Sequence, residues 1–299
     1  MNGEKRPREM SSRDYIHRSF DLSDRLAVVA PNPRRGEILK RISTAVRIAG
    51  PQFQNWLHSK NELDGCDIYL SMNPLKPEVH TRSKQDVQVI RHLYVDLDPE
   101  GAKSLAAIQH SRLVPPPSYV LHSSPHGFQA IWRVEEVTLA QGEALLHALA
   151  RHFAGDPDVA DLTRTLRLPG FANKKCEEDF WVTMHDHTGR IYHARDFKLR
   201  TDPVESNLPR RSPALRHTLV PREQSQAERD AAYAKVALAR GFPAEEVMRD
   251  IAEFRAQENV HAEDYARHTV AAAQAELRIQ RATEGARAAL RDDPDRELC

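Results

Sequence analysis

The chain has few cysteines. There are three in 299 residues, Cys66, Cys176 and Cys299, widely separated and without a CxxC pair, which excludes a disulfide framework and a thiolate zinc site. Long hydrophobic runs are missing too: no stretch approaches the roughly 18 to 20 apolar residues of a membrane helix. Met1 to Asp14 carries both signs of charge without the apolar segment of a secretory signal, so no membrane association is expected and the cytoplasm is the expected compartment. Nor is one sign of charge in excess. Lys+Arg and Asp+Glu both number 43, so any nucleic-acid surface has to be a local patch. The absence of a GxxxxGK[ST] loop removes a P-loop NTPase, and the absence of a GxSxG elbow removes the α/β-hydrolase arrangement.

What is present suits an ordinary water-exposed protein with a real core: 40% hydrophobic residues, 29% charged, mean hydropathy −0.62. Apolar Ile38, Leu39, Ile42, Val46 and Ile48 predict a helix over Arg34 to Ala49, closed by Gly50-Pro51. Asp67 to Met72 and Gln88 to Asp98 read as strands, and Asp98-Pro99-Glu100-Gly101 as a β-turn. A helix is expected over Ser104 to Leu113. Tyr119 to Ser123 and Phe128 to Val134 predict an antiparallel hairpin. Thr138 with Gln141 signals a capping box that opens a helix to Phe153. Phe180 to Met184 and Arg190 to His193 suggest a further short hairpin. Pro203, Pro209, Pro213 and Pro221 alternate with Arg210, Arg211, Arg216 and Arg222, a basic extended linker. Beyond it only helices are expected, over Ser225 to Ala239, Pro243 to Gln257 and Ala262 to Leu290. The expected division is therefore 1–200, an α/β (α+β) catalytic domain, 201–224, a linker, and 225–299, a small helical bundle.

Three segments could carry chemistry. Asp96 and Asp98, two apart on a strand, share a face with Cα atoms about 6.5 Å apart. Such paired hard oxygen ligands suit Mg²⁺ or Mn²⁺, although a D-x-D alone also fits a solvated strand end. Ser123 to Gln129 (SSPHGFQ) joins small residues and Gly127 at a tight turn, where the Ser124 and Gly127 backbone could approach an anion. Gln129 and Arg133 share a strand face. Asp158 to Lys175 (DVADLTRTLRLPGFANKK) offers Asp161 as a third carboxylate, and Arg164, Arg167, Lys174 and Lys175 as phosphate-binding cations. Pro169-Gly170 turns Asn173 and Lys174 back toward the arginines. His185-Asp186-His187 lacks the spacing of a zinc site.

The order YVDLD, then SSPHGFQAIW, then DLTRTLRLPGFANK resembles the archaeo-eukaryotic primase superfamily, and more narrowly the plasmid RepB-like DNA primases. The resemblance spans Asp67 to Lys175. It implies a core with an RRM-like antiparallel sheet and a helical domain behind it. It also implies metal carboxylates at Asp96, Asp98 and Asp161, holding Mg²⁺ or Mn²⁺, and nucleotide contacts from Ser124, Gly127, Gln129, Arg133, Arg164, Arg167, Asn173 and Lys174. Gln129 stands where most of the superfamily has His. The implied activity is primer synthesis, a template-directed two-metal nucleotidyl transfer using NTPs or dNTPs. The implied partners are single-stranded DNA and, in plasmid or mobile-element replication, a helicase or initiator. A two-metal nuclease or a non-catalytic initiation factor are the alternatives. The linker and helical tail are the expected template-binding parts.

Overall fold

The computed structural model describes residues 10–97, 100–153, 161–201, 225–256 and 259–291. Asp98 and nearly all of the basic linker lie outside them. The chain divides into two compact units, Met1–Phe20 with Asp24–Ser212, and Asp21–Ser23 with Pro213–Cys299.

The first unit holds every described strand. It opens with helix α1 (Ser12–Ser19), started by a reciprocal Ser11–Asp14 capping box. One four-stranded antiparallel sheet follows, in the order β2 (Ile38–Thr44), β1 (Arg25–Pro31), β3 (Tyr69–Ser71) and β7 (Thr165–Arg167). The helix expected over Arg34 to Ala49 is therefore largely a strand: β2 pairs with β1 over its whole length, and only α2 (Ala45–Ala49) is helical. A spacing of four misled the reading, because Ile38 and Ile42 fall on one face in a helix and in a strand alike. Gly50-Pro51 does not simply end that helix but begins another, α3 (Pro51–His58), with Pro51 in its first turn.

The second sheet is built around β6 (Phe128–Val134), which pairs antiparallel with β4 (His92–Leu97) and β5 (Tyr119–His122). The expected 119–134 hairpin is formed, closed by Ser123 N–H donating to the Gly127 carbonyl at 3.0 Å. Helix α4 (Gly101–Gln109) starts directly after the acidic strand, three residues earlier than expected. A Cβ on Gly101 would lie 2.5 Å from the His126 carbonyl oxygen, so only glycine lets this helix end pack on the hairpin. Helix α5 (Leu139–His152) has the Thr138–Gln141 box. Short strands β8 (Ala172–Asn173) and β9 (Phe180–Trp181) pair together. The hairpin expected between 180–184 and 190–193 does not form. Instead, β10 (Thr183–His187) pairs with β5, and β11 (Ile191–Tyr192) joins β6 in parallel. Trp132, Ile131, Leu121 and Leu93 are fully buried, so this sheet is core on both faces.

The second unit contains α6 (Gln226–Ala239), α7 (Ala244–Arg255) and α8 (Ala262–Arg291). Buried Asp230 accepts from Arg255 Nη2 at 2.8 Å and from the Tyr265 hydroxyl at 2.8 Å, tying the three helices together. Among the described residues no helix is long and apolar enough to cross a membrane.

Candidate active site

Strand pairing sets Asp96 opposite Gln129, and Gln129 is in turn opposite Leu121. The loop after α5 is brought against them by the core. The Tyr94 hydroxyl donates to the Asp161 carbonyl. Asn73 Nδ2 donates to the Leu162 carbonyl at 3.1 Å, while its Oδ1 accepts from the Arg91 and His92 amides at 2.8 and 3.0 Å. Asn73 is thus a buried clamp between two strands and the acidic loop. Inside that loop the Thr163 amide donates to Asp161 Oδ1 at 2.9 Å.

Asp96, Gln129, Asp161, Arg164 and Arg167 line one cavity of about 760 Å³, together with Ser124 and Asn173. That volume lies in the range of small-molecule sites, about 300–1,000 Å³. Arg164 Nη2 is 3.7 Å from Asp96 Oδ2, and both side chains are about one-third exposed, at 36% and 33%. Gln129 is buried, and its Oε1 has no hydrogen-bond partner among the described residues, an acceptor left for whatever enters the cavity.

Other expected contacts fall elsewhere. Arg133 does not line the cavity: its Nη1 donates to the Arg18 carbonyl at 2.8 Å. Four residues along a strand is about 13 Å, so sharing a face with Gln129 was not enough. Lys174 ion-pairs through Nζ with Asp179, and Lys175 takes the cavity position. The small-residue turn uses three of its amides within itself. The Ser123 and Ser124 amides both donate to the Gly127 carbonyl, and the Gly127 amide to the Ser124 carbonyl. Arg167 lines the cavity but is committed to buried Asp67, with Nη1 to Oδ1 at 2.7 Å and its guanidinium 4.8 Å from the Tyr69 ring centre. Asn173 Nδ2 donates to the Ser123 carbonyl at 2.9 Å, tying β8 to the hairpin.

Arg82 and Tyr69 are cavity residues that sequence reasoning missed. Arg82 Nη1 is buried without a hydrogen-bond partner among the described residues. Burial lowers its pKa, an effect that the nearby Asp161 carboxylate opposes. No motif marked it, because it stands in an irregular stretch before β4. The Tyr69 hydroxyl is pushed up to about 12 by burial, against the pull of the Arg167 guanidinium.

Asp96 and Asp161 are hard carboxylate donors facing one cavity beside cationic side chains. Mg²⁺ suits such a place, since it takes one or two carboxylates and completes its shell with water and phosphate. Among the described residues no three His, Cys, Asp or Glu side chains form a metal cluster, and Asp98 lies outside them.

The family model of the RepB DNA-primase N-terminal domain matches residues 36–198, which include the second sheet, all of the first sheet except β1, and the cavity residues from Ile38 onward. The chain belongs to this family. The chain is similar to the catalytic domain of primase RepB′, solved in complex with initiator DNA, at 23% identity and TM-score 0.46, covering 60% of this chain and 87% of that one. Primase RepB′ itself gives 22% identity and TM-score 0.47 over 95% of this chain and 100% of that one. The AEP domain of the cyanophage S-2L primase-polymerase gives 16% identity and TM-score 0.47, covering 60% of this chain and 90% of that one. No curated protein matches the chain significantly.

Proposed function

We propose that the primase-family region synthesises primers on single-stranded DNA by metal-dependent nucleotidyl transfer. The observation that carries this reading is that Asp96 and Asp161, far apart in sequence, line one cavity with Gln129, Arg82 and Arg164. Asp96 and Asp161, with Asp98 as the further carboxylate of the motif, would hold Mg²⁺ or Mn²⁺. Such ions, when bound, acidify an attacking 3′-hydroxyl and neutralise charge on the leaving pyrophosphate.

The protein's own groups supply positioning. Arg82 and Arg164 present guanidinium forks to the phosphates of an incoming nucleotide, and Lys175 adds a point charge. The Gln129 amide oxygen accepts from a hydroxyl or amino group of the nucleotide. Asn73 and Tyr94 act one step back, holding the loop that carries Asp161. Arg167 shapes the floor while its charge stays matched to Asp67. None of these groups forms a covalent intermediate, so catalysis rests on orientation and charge.

Primer synthesis on circular single-stranded DNA tests this, with Mg²⁺ or Mn²⁺ and with ribo- or deoxynucleotides supplied separately. Labelled product should require metal and nucleotide, and Asp96→Ala should abolish it while DNA binding persists. Undiminished synthesis by that variant would refute the metal assignment. Metal-dependent shortening of the DNA without nucleotide would point to a nuclease instead.

A further inference from the structure

The cavity has one open, basic side. Strand register sets Lys40 opposite Val29, Val29 opposite Tyr69, and Tyr69 opposite Arg167. Residues paired across a sheet share its face, so one row runs from the cavity floor at Arg167 to the outer edge at Lys40. Val29, Pro31 and Ile38 of the same β1–β2 pair also line the cavity. Lys40 is exposed at this edge, and so is Ile38 at 58%. Lysine on an edge strand blunts unwanted strand pairing, but that role gives no reason to leave isoleucine open beside it.

The tip of the hairpin is firmly built. Asn32 Oδ1 accepts from the Arg34 and Arg35 amides at 3.0 and 2.9 Å, and its Nδ2 donates to the Asp64 carbonyl at 2.6 Å. Gly36 takes φ +72°, a conformation that strains other residues. This turn holds Arg34 and Arg35 out in solvent. Neither they nor Lys40 has an ion-pair partner among the described residues, and Glu37 is the one acid between Arg34 and Arg41. Arg41, by contrast, is stacked on Trp56 on the opposite face, 4.1 Å from the ring centre.

We infer that the β1–β2 hairpin is the surface that guides single-stranded DNA into the cavity, with Arg34, Arg35 and Lys40 meeting backbone phosphates and Ile38 giving bases an apolar rest. The inference rests on the primase reading for the identity of the strand, and it moves the template surface from the linker and helical tail to the catalytic unit. Charge complementarity and continuity with the cavity carry it. Such binding releases condensed counterions and is therefore salt-sensitive.

The test is a salt titration of labelled oligothymidylate binding by the full chain. It compares wild type with a variant carrying Arg34→Gln, Arg35→Gln and Lys40→Gln together. Losing three phosphate contacts should flatten the log–log salt slope by about 2 and weaken binding on the order of tenfold or more near 100 mM salt. The melting temperature should not move, since all three side chains are exposed. Wild-type affinity and slope in the variant would overturn the inference, as would a clear preference of the wild type for duplex. A protein that shows the hairpin-dependent slope but adds no nucleotide would refute primer synthesis and leave this surface standing. Primer synthesis with an unchanged slope would do the reverse.

Discussion

Two arginines in the wall of one cavity, Arg164 and Arg167, each meet an aspartate, and the two pairs have different work. Asp67 is fully buried and Arg167 is 9% exposed; they meet at 2.7 Å, and Asp67 also accepts from the Lys174 amide at 2.7 Å. Asp96 and Arg164 are 3.7 Å apart and about one-third exposed. The first pair is satisfied within the protein, and each charge depends on the other. In the second pair solvent screens the attraction and the geometry is loose, so neither charge depends on the other in the same way. The same two residue types are architecture in one place and chemistry in the other, and burial decides which.

The largest effect expected is on stability, at the tight pair. Asp67→Asn leaves the Arg167 guanidinium buried against a neutral partner, and breaking a buried pair costs about 3–5 kcal/mol. Chemical denaturation should show that loss. If the variant were as stable as wild type, the contrast between the pairs would collapse. Asp96→Asn should do the opposite. Loss of the partly exposed ion pair should cost less than about 1 kcal/mol of stability, while nucleotide incorporation falls by about 10²–10³-fold. A large drop in melting temperature would make Asp96 a structural residue after all.

Arg82 refines the comparison, because it lines the cavity and its buried Nη1 has no acceptor among the described residues. Removing a charged hydrogen bond to a ligand costs about 1.5–3 kcal/mol. Arg82→Gln should therefore raise the nucleotide KM by about 10- to 100-fold with little change in stability. A fall in kcat at unchanged KM would place Arg82 in another role.

How much of this was legible follows from range. The D-x-D strand, the 119–134 hairpin and the capped helices are local signals, and the chain carried them plainly. Asp96, Gln129, Asp161 and Arg164 were singled out from motif order, and they share the cavity. Arg133, Lys174 and the Gly127 turn are expected at the site from a shared strand face, the Pro169-Gly170 turn and small residues, and each has a partner that only the fold reveals: the Arg18 carbonyl, Asp179, and the turn's own carbonyls. Arg167 looked identical to Arg164 in the sequence. What separates them is Asp67, one hundred residues away along the chain. Strand β2 failed for a different reason, an apolar spacing that serves two periods equally.

The smallest effect expected is a pH dependence of stability that comes from neither pair but from one buried group behind them. His92 is fully buried, its Nδ1 is 2.7 Å from the Met72 carbonyl, and its ring meets Phe20 edge-on at 4.9 Å. Burial lowers its pKa from 6.5 to about 3, with the Arg133 and Arg91 charges adding to the effect. Between those values the unfolded chain takes up a proton that the folded protein refuses, so stability must fall as pH drops from about 6.5 toward 3. Above 6.5 both states are neutral at this residue and its contribution is flat. The slope approaches about 1.4 kcal/mol per pH unit inside the window, so unfolding at pH 5 should need about 2 kcal/mol less than at pH 7. His92→Gln should remove most of that slope. If the variant kept it, another group would be responsible.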